Sequence, residues 1–351
     1  REARGSVAWS LFFIFLLYFT APAYAAFSKL EVYSLINKGT AIADLPAWMY
    51  TYGKLGLVKV CGVDVKTAQD VAAACAKIAG HPGQLRLQDL NINPDVIVLS
   101  TPEIAGMPYV IAGLVAAGGL AAAMSTADGL LLAISNALSH DIYYKLINPN
   151  ASTSTRLVVS RVFLVMVAVA AAYTASTKPA DILSMVAWAF SLAAAGIFPA
   201  LVLGVWWKRA NTPGAVLGMI LGFGVCLYYL VGTRYFAVSF HEMWGWLGTA
   251  SPAALKKYAE LKAAFAGAAD GAAKTAAWTA LDTHAQAIAS WWGVRNISAA
   301  IFGLPVGFLT IIIVSLLTPE PSKEVQDMVD ATRLPSGDLI MEDKGAKLAG
   351  H

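Results

Sequence analysis

Apolar residues in this chain fall in long blocks rather than in alternation or in helical stripes. Six blocks are long enough to cross a bilayer, which takes about 20 mostly apolar residues. They predict helices over Ser6–Phe27, about Met107–Tyr144, Leu157 to about Ser176, Asp181–Trp207, Pro213–Gly232 and Ile297–Thr318. Helix is the expected form, because hydrocarbon offers backbone N–H and C=O groups no water partner. The fold class expected is therefore an all-α integral membrane protein. Residues 1–318 form its transmembrane domain, with long outer loops at about 28–103 and 233–295. Residues 319–351 are charged and rich in turns, and read as a partly disordered cytoplasmic tail.

Composition sharpens this. The hydrophobic set supplies 58% of residues and Asp, Glu, Lys and Arg only 13%, against about 25% charged residues in soluble domains. A disordered chain, a collagen and an ordinary cytosolic enzyme are excluded. The net charge of +3 is scattered, so nucleic acid is not an expected partner and membrane lipid is. Short loops set orientation. Arg1 and Arg4, Lys145 and Arg156, and Lys208 and Arg209 lie on one side, together with the tail. That side is placed in the cytoplasm. The first block has a rival reading as a secretory signal peptide, with Arg1 and Arg4 before it and Ala23–Ala26 at its end. Its length and the absence of a starting Met argue against that.

The outer loops read as caps with short amphipathic helices. The first has turn signals at Pro82-Gly83 and Asn93-Pro94. The second is Ala-rich and helical near Pro252–Ala280. Cys61 and Cys75 share the first loop. They either pair in an oxidising periplasm or stand as two separate small apolar residues.

Span two holds the candidate chemistry. About 38 helical residues would measure about 57 Å, so this element must tilt, break or project beyond a bilayer core. Gly118, Gly119, Ala121, Ala122 and Ala123 let another helix approach closely. Ala122, Ser125 and Thr126, at i, i+3 and i+4, share one face. A backbone carbonyl with two hydroxyls suits a hard cation such as Na⁺, and a neutral set can release it again. The competing reading is that the hydroxyls bond back to the preceding turn and merely pack. Asp128 lies roughly 100° around the helix from them and aligns better with Ser135 and Ser139. It lines a cytoplasmic polar pathway, braces a neighbouring helix or contacts an ion. Further on, Pro199 predicts a kink in span four. Gly214, Gly218 and Gly222 predict a tight packing face in span five.

The sequence contains no HExxH, GxSxG or P-loop pattern, and its five histidines are dispersed. No enzyme activity and no cofactor are expected. Instead, Gly204–Gly224, GVWWKRANTPGAVLGMILGFG, resembles the signature of the sodium:solute symporter family. A small residue and an aliphatic one precede Arg209. Four free positions lead to Gly214-Ala215, and a small-residue run ends in Gly222 and Gly224. Ala121–Tyr143 is similar to the family's eighth core helix, and the segment from Arg295 resembles its acetate-symporter-like branch.

The resemblance implies a partial LeuT-type inverted-repeat fold. About six transmembrane helices would comprise core helices seven to ten and two accessory helices. The N-terminal core helices would lie upstream of Arg1. It also implies that the Ala122 carbonyl and the Ser125 and Thr126 hydroxyls ligate Na⁺ as coupling ion, the partners being Na⁺ and a small carboxylate. Retention of both hydroxyls favours Na⁺ over H⁺. The alternatives are an H⁺-coupled carboxylate permease and a transporter-like sensory domain of a signalling protein.

Overall fold

The computed structural model describes residues Glu2–Arg333. The chain divides into two compact units between Asp181 and Ile182. Six helices are long and apolar enough to cross a membrane, and their bounds follow the predicted blocks closely except at one end.

That exception is α1, Glu2–Asn37. The outer loop was expected from residue 28, yet the helix continues well past it. Lys29 and Glu31 end the apolar block without ending the helix, because both residue types are good helix formers. The added turns dock on the first cap. Ser28 Oγ lies 2.6 Å from Thr101 Oγ1, and Tyr24 Oη donates to the Val98 carbonyl at 2.9 Å.

The first cap follows. It contains α2 (Ala47–Gly53), β1 (Val58–Val60), β2 (Val63–Asp64), α3 (Ala68–Ala76), β3 (Leu90–Ile92) and α4 (Ile97–Ile104). The strands form an antiparallel sheet in the order β2-β1-β3, with Val60 opposite Val63 and Leu90. This sheet was not foreseen. Its hairpin turns on Cys61-Gly62, both with positive φ (51° and 82°), as a tight two-residue connection requires. Met49, Val58, Val60, Val65 and Val71 are fully buried beneath it. Cys61 and Cys75 are joined in a disulfide, with Cα atoms 5.2 Å apart, which settles the open alternative in favour of pairing. Bidentate Arg86, at 2.8 and 3.0 Å, holds the Asp89 carboxyl below the usual carboxylate range.

Helix α5, Tyr109–Asn136, follows the cap. It passes into a π-helix, Ala137–Ile147, so the over-long span changes winding at its inner end. α6, Thr153–Ser176, starts on the Ser152 cap, which accepts from Thr155 N–H.

The second unit is built on α7 (Ile182–Trp206), α8 (Thr212–Tyr235) and α12 (Ala300–Leu317). Glycine makes their close approach feasible. A Cβ at Gly218 would lie 2.2 Å from Ile311 Cγ1, and one at Gly222 would lie 2.4 Å from the Ala195 carbonyl oxygen. The expected packing face is therefore real, and α12 answers it with Gly303 and Gly307. α7 is helical on both sides of Pro199, which is buried against Gly307.

The second outer loop holds α9 (Ala237–Trp244), α10 (Pro252–Gly267) and α11 (Ala272–Ile288). The single helical stretch expected near Pro252–Ala280 is thus two helices, broken around Gly271 at φ 93°. Tyr229 anchors this cap, donating to the Val294 carbonyl and accepting from Trp291 N–H. The Trp291 ring packs on Tyr229, Phe240 and Phe302, with centroids 5.0–5.5 Å apart. Burial holds the His241 imidazole below its ordinary value and pushes the Tyr258 hydroxyl up to about 12.

The tail reading needs division. Its first part carries α13, Lys323–Arg333, whose Asp330 pairs with Lys208. Residues 334–351 lie outside the described residues.

The basic short loops give a direct expectation. A cysteine introduced at Ser152 should react with a membrane-impermeant maleimide only from the cytoplasmic side, and one at Gly267 only from outside. The native thiols leave little background, since Cys61 and Cys75 are paired and Cys226 is buried. Reversal of both labels would overturn the assigned orientation.

Candidate functional site

The cation candidate lies midway along α5, whose Ala- and Gly-rich sequence has few side chains to obstruct a neighbour. Thr126 Oγ1 donates to the Ala122 carbonyl oxygen at 3.1 Å. That is the back-bond of the packing reading. It also brings two oxygen atoms of the proposed set side by side, and the Thr126 oxygen keeps lone pairs free while its proton is engaged. Among the described residues the Ser125 hydroxyl has no hydrogen-bond partner. Ala122, Ser125 and Thr126 are all exposed on this chain. A neutral, oxygen-bearing helix face is thus in place, with room for further ligands.

Asp128 is exposed too, and among the described residues it makes no hydrogen bond or ion pair. Ser135 is placed differently. It is fully buried, and its hydroxyl donates to the Leu132 carbonyl at 3.1 Å. Ser139 is also buried and back-bonded, to Asn136 at 3.4 Å. Helical spacing aligns these residues with Asp128, but the packing of α6 against the π-helical end of α5 covers the serines. Asp128 is therefore exposed on this chain while Ser135 and Ser139 are buried. With Asp128 outside the oxygen set of Ala122, Ser125 and Thr126, Asp128→Asn is expected to leave cation binding in place. Loss of Na⁺ binding in folded Asp128→Asn protein would instead make the carboxylate a ligand.

At the outer end of α5 a cleft of about 560 Å³ is lined by Trp48, Tyr52, Leu99, Glu103, Met107 and Tyr109. Tyr52 Oη donates to Glu103 Oε1 at 3.3 Å. Burial first, then the Glu103 charge, raises the Tyr52 hydroxyl above its usual value. Sequence reasoning missed this cleft. Its residues come from three elements, and only Glu103 carries a charge.

The signature segment is structural in its effect. Asn211 caps α8 by accepting from Gly214 N–H at 3.0 Å, and its amide donates to Thr318 Oγ1 at 2.6 Å and the Pro319 carbonyl at 3.0 Å. Arg209 pairs with Glu320 and donates to the Leu316 carbonyl at 3.3 Å. The α7–α8 turn is thereby clamped to the C-terminal end of α12. Spacing revealed the motif, but its partners lie about a hundred residues away and had no sequence signal.

The sodium:solute symporter family model matches residues 74–222, which include α5 to α7 and the first half of α8. An uncharacterized symporter of Cupriavidus necator is 39% identical over 333 residues, covering 95% of this chain and 40% of the relative. The sodium/proline symporter of Escherichia coli is 30% identical over 159 residues, 45% of this chain and 29% of the relative. The sodium/pantothenate symporter of Haemophilus influenzae is 28% identical over 169 residues, 47% of this chain and 34% of the relative. The chain thus spans well under half the length of these relatives. No solved structure matches it. A multi-pass helical protein of the bacterial inner membrane, this chain belongs to the sodium:solute symporter family.

Proposed function

We propose that this chain is part of a Na⁺-coupled symporter that moves a small organic carboxylate into the cell. The observation that carries the reading is the Ala122–Ser125–Thr126 face, neutral and oxygen-lined within a membrane span. A hard cation prefers oxygen ligands, and neutral ones hold it weakly enough for release. The relatives named for proline and pantothenate fit the substrate class, since each of those solutes bears one carboxylate. Acetate or a similar monocarboxylate is the member of the class proposed here.

In a LeuT-type arrangement α1, α5, α6 and α7 would be core helices seven to ten, with α8 and α12 accessory. The remaining Na⁺ ligands and most substrate contacts would come from the other core helices of that arrangement. Na⁺ binding would favour an outward-facing state competent for substrate. Rocking of one helical body against the other would then open the site inward. Na⁺ is the coupling ion, and no resident cofactor takes part.

Proteoliposomes of the full-length protein provide the test. Labelled acetate should accumulate under an inward Na⁺ gradient and not when K⁺ replaces Na⁺, with proline and pantothenate as competitors. Accumulation driven by an H⁺ gradient and indifferent to Na⁺ would overturn the coupling ion. Absence of any carboxylate uptake under either gradient would overturn the substrate class.

A further inference from the structure

The first cap holds a polar constellation apart from the proposed cation site. Its centre is the disulfide between Cys61, at the β1–β2 turn, and Cys75, on α3. His81 lies against this bond. Its Nε2 is 3.8 Å from Cys61 Sγ and 3.0 Å from Asp89 Oδ2.

Hydrogen bonding fixes the imidazole tautomer. Nδ1 accepts from the Gly83 backbone N–H at 3.1 Å, so that nitrogen carries no proton. Nε2 must then carry it, directed at the Asp89 carboxylate with Cys61 sulfur alongside. The side chains of His81 and Asp89 are only 3% and 4% exposed. Asp89 also accepts from Arg86, and its backbone carbonyl accepts from Cys61 N–H at 2.8 Å. The donor proton is therefore held in place beside the sulfur.

A metal site is the competing reading, because Cys61, Cys75 and His81 bring their ligand atoms within 4.8 Å of one another. The tautomer opposes it. A metal on Nε2 would send the imidazole proton to Nδ1, which already faces the Gly83 N–H. Both sulfurs are moreover committed to each other.

The two sulfurs are also unequal. Cys75 is 3% exposed, whereas Cys61 is only partly buried. Cys61 is thus the more accessible of the two residues. In thiol–disulfide exchange the accessible sulfur with the better-stabilised thiolate is the one that exchanges, and the buried partner resolves. Here both attributes fall on Cys61.

We propose that Cys61–Cys75 is a thiol–disulfide exchange site on the outer cap, in which Cys61 forms the mixed disulfide with an external dithiol and the His81 Nε2–H stabilises Cys61 as a thiolate. One thiolate of the dithiol attacks Cys61 Sγ. The Cys61–Cys75 bond breaks, and Cys75 leaves with the electron pair and takes up a proton. The second thiolate of the dithiol then attacks its own sulfur in the mixed disulfide, releasing Cys61 as a thiolate beside His81. The dithiol is oxidised to a disulfide by two electrons, and the cap disulfide is reduced by the same two. The hairpin is then no longer stapled to α3.

The detergent-purified chain, kept folded, is titrated with dithiothreitol and, separately, with a thioredoxin bearing a CxxC dithiol. Free thiols are then alkylated and located by peptide mass. Both reagents should open Cys61–Cys75 while the helical circular dichroism is unchanged; opening by only one of them would identify whether small or protein dithiols are the reactants. Offered glutathione disulfide, which supplies the oxidation and releases one glutathione thiolate, Cys75→Ser should trap a mixed disulfide on Cys61, and Cys61→Ser should trap none on Cys75. In the Cys75→Ser background, Cys61 should alkylate at neutral pH about tenfold faster than an ordinary thiol of pKa about 8.5. Adding His81→Gln should remove that advantage. A disulfide that opens only on denaturation, equal trapping at the two sulfurs, or an alkylation profile indifferent to His81→Gln would each overturn the proposal. The first of these is read on the unaltered chain, so it stands whatever the variants do to folding.

Discussion

Gly222→Ala is expected to lose much of the folded second unit, although it adds a single methyl group. The new Cβ would lie 2.4 Å from the Ala195 carbonyl oxygen, 3.1 Å from the Gly303 carbonyl oxygen and 3.2 Å from Gly307 Cα. All three are backbone atoms, on two different helices, so no side-chain rotation relieves the clash. α7 and α12 must both retreat from α8. Overpacking of this kind costs about 1–3 kcal/mol and occasionally more. The cost should fall at the high end, because separation also loosens Ala195, Cys226 and Ile311, all 0% exposed. Gly303→Ala should behave alike, since its Cβ would lie 2.5 Å from the Gly222 carbonyl oxygen and 2.6 Å from Ala195 Cβ. The two changes share one seam, so the double variant should cost less than the sum. Gly224→Ala is the control, having nothing within 4 Å of its Cβ. Heating of detergent-extracted protein followed by size-exclusion chromatography reads the difference. Equal melting of Gly222→Ala and Gly224→Ala would show that the seam tolerates a methyl group.

Ser125→Ala and Thr126→Ala, made in the full-length protein, are each expected to weaken the Na⁺ response about ten- to hundredfold. Each removes one oxygen from the proposed shell. A contact between a charged group and a hydrogen-bonding oxygen is worth roughly 1.5–3 kcal/mol, and the same scale serves a cation–oxygen contact. Alanine is the smaller residue in both cases, so packing is little disturbed. Thr126→Ala carries a second effect, because the Ala122 carbonyl loses its 3.1 Å donor. Thr126→Ser keeps both the oxygen and that donor and should stay near the parental response. Ala122→Ser should also have a small effect, since the ligand atom proposed there is a backbone carbonyl. The measurement is uptake against Na⁺ concentration at matched membrane expression. If both alanine variants express normally and keep the parental half-saturating Na⁺, the hydroxyls only pack.

These features were unequally visible in the sequence. The spans were legible because a helix in hydrocarbon must be both long and apolar, and Gly214, Gly218 and Gly222 announced their packing by their four-residue repeat. The extension of α1 to Asn37 was not, because hydropathy reports the environment of a segment rather than its backbone. The cap sheet escaped because its strands have two or three residues, too few to show alternation. Pairing of Cys61 with Cys75 depends on bringing a turn against a helix, which spacing alone does not determine. At the candidate site the shared face of Ala122, Ser125 and Thr126 followed from helical geometry. The burial of Ser135 did not, since it depends on how a second helix covers the inner end of α5.

The clamp between the α7–α8 turn and the end of α12 bears on biosynthesis. Asn211 and Ser315, which meet through the Asn211 N–H at 3.3 Å, are 104 residues apart in the chain. At about 5–20 residues per second, a ribosome takes roughly 5–20 s to travel between them. Within that interval α8, Thr212–Tyr235, is made and can pair with α7 as a hairpin well before α12 exists. The glycine-lined groove of α8 is then filled by lipid or by whatever helix passes. The second unit is completed only when its last span is made and displaces that occupant. A ribosome stalled before Ile311 would leave the hairpin inserted, correctly oriented and unfinished, a natural substrate for membrane quality control.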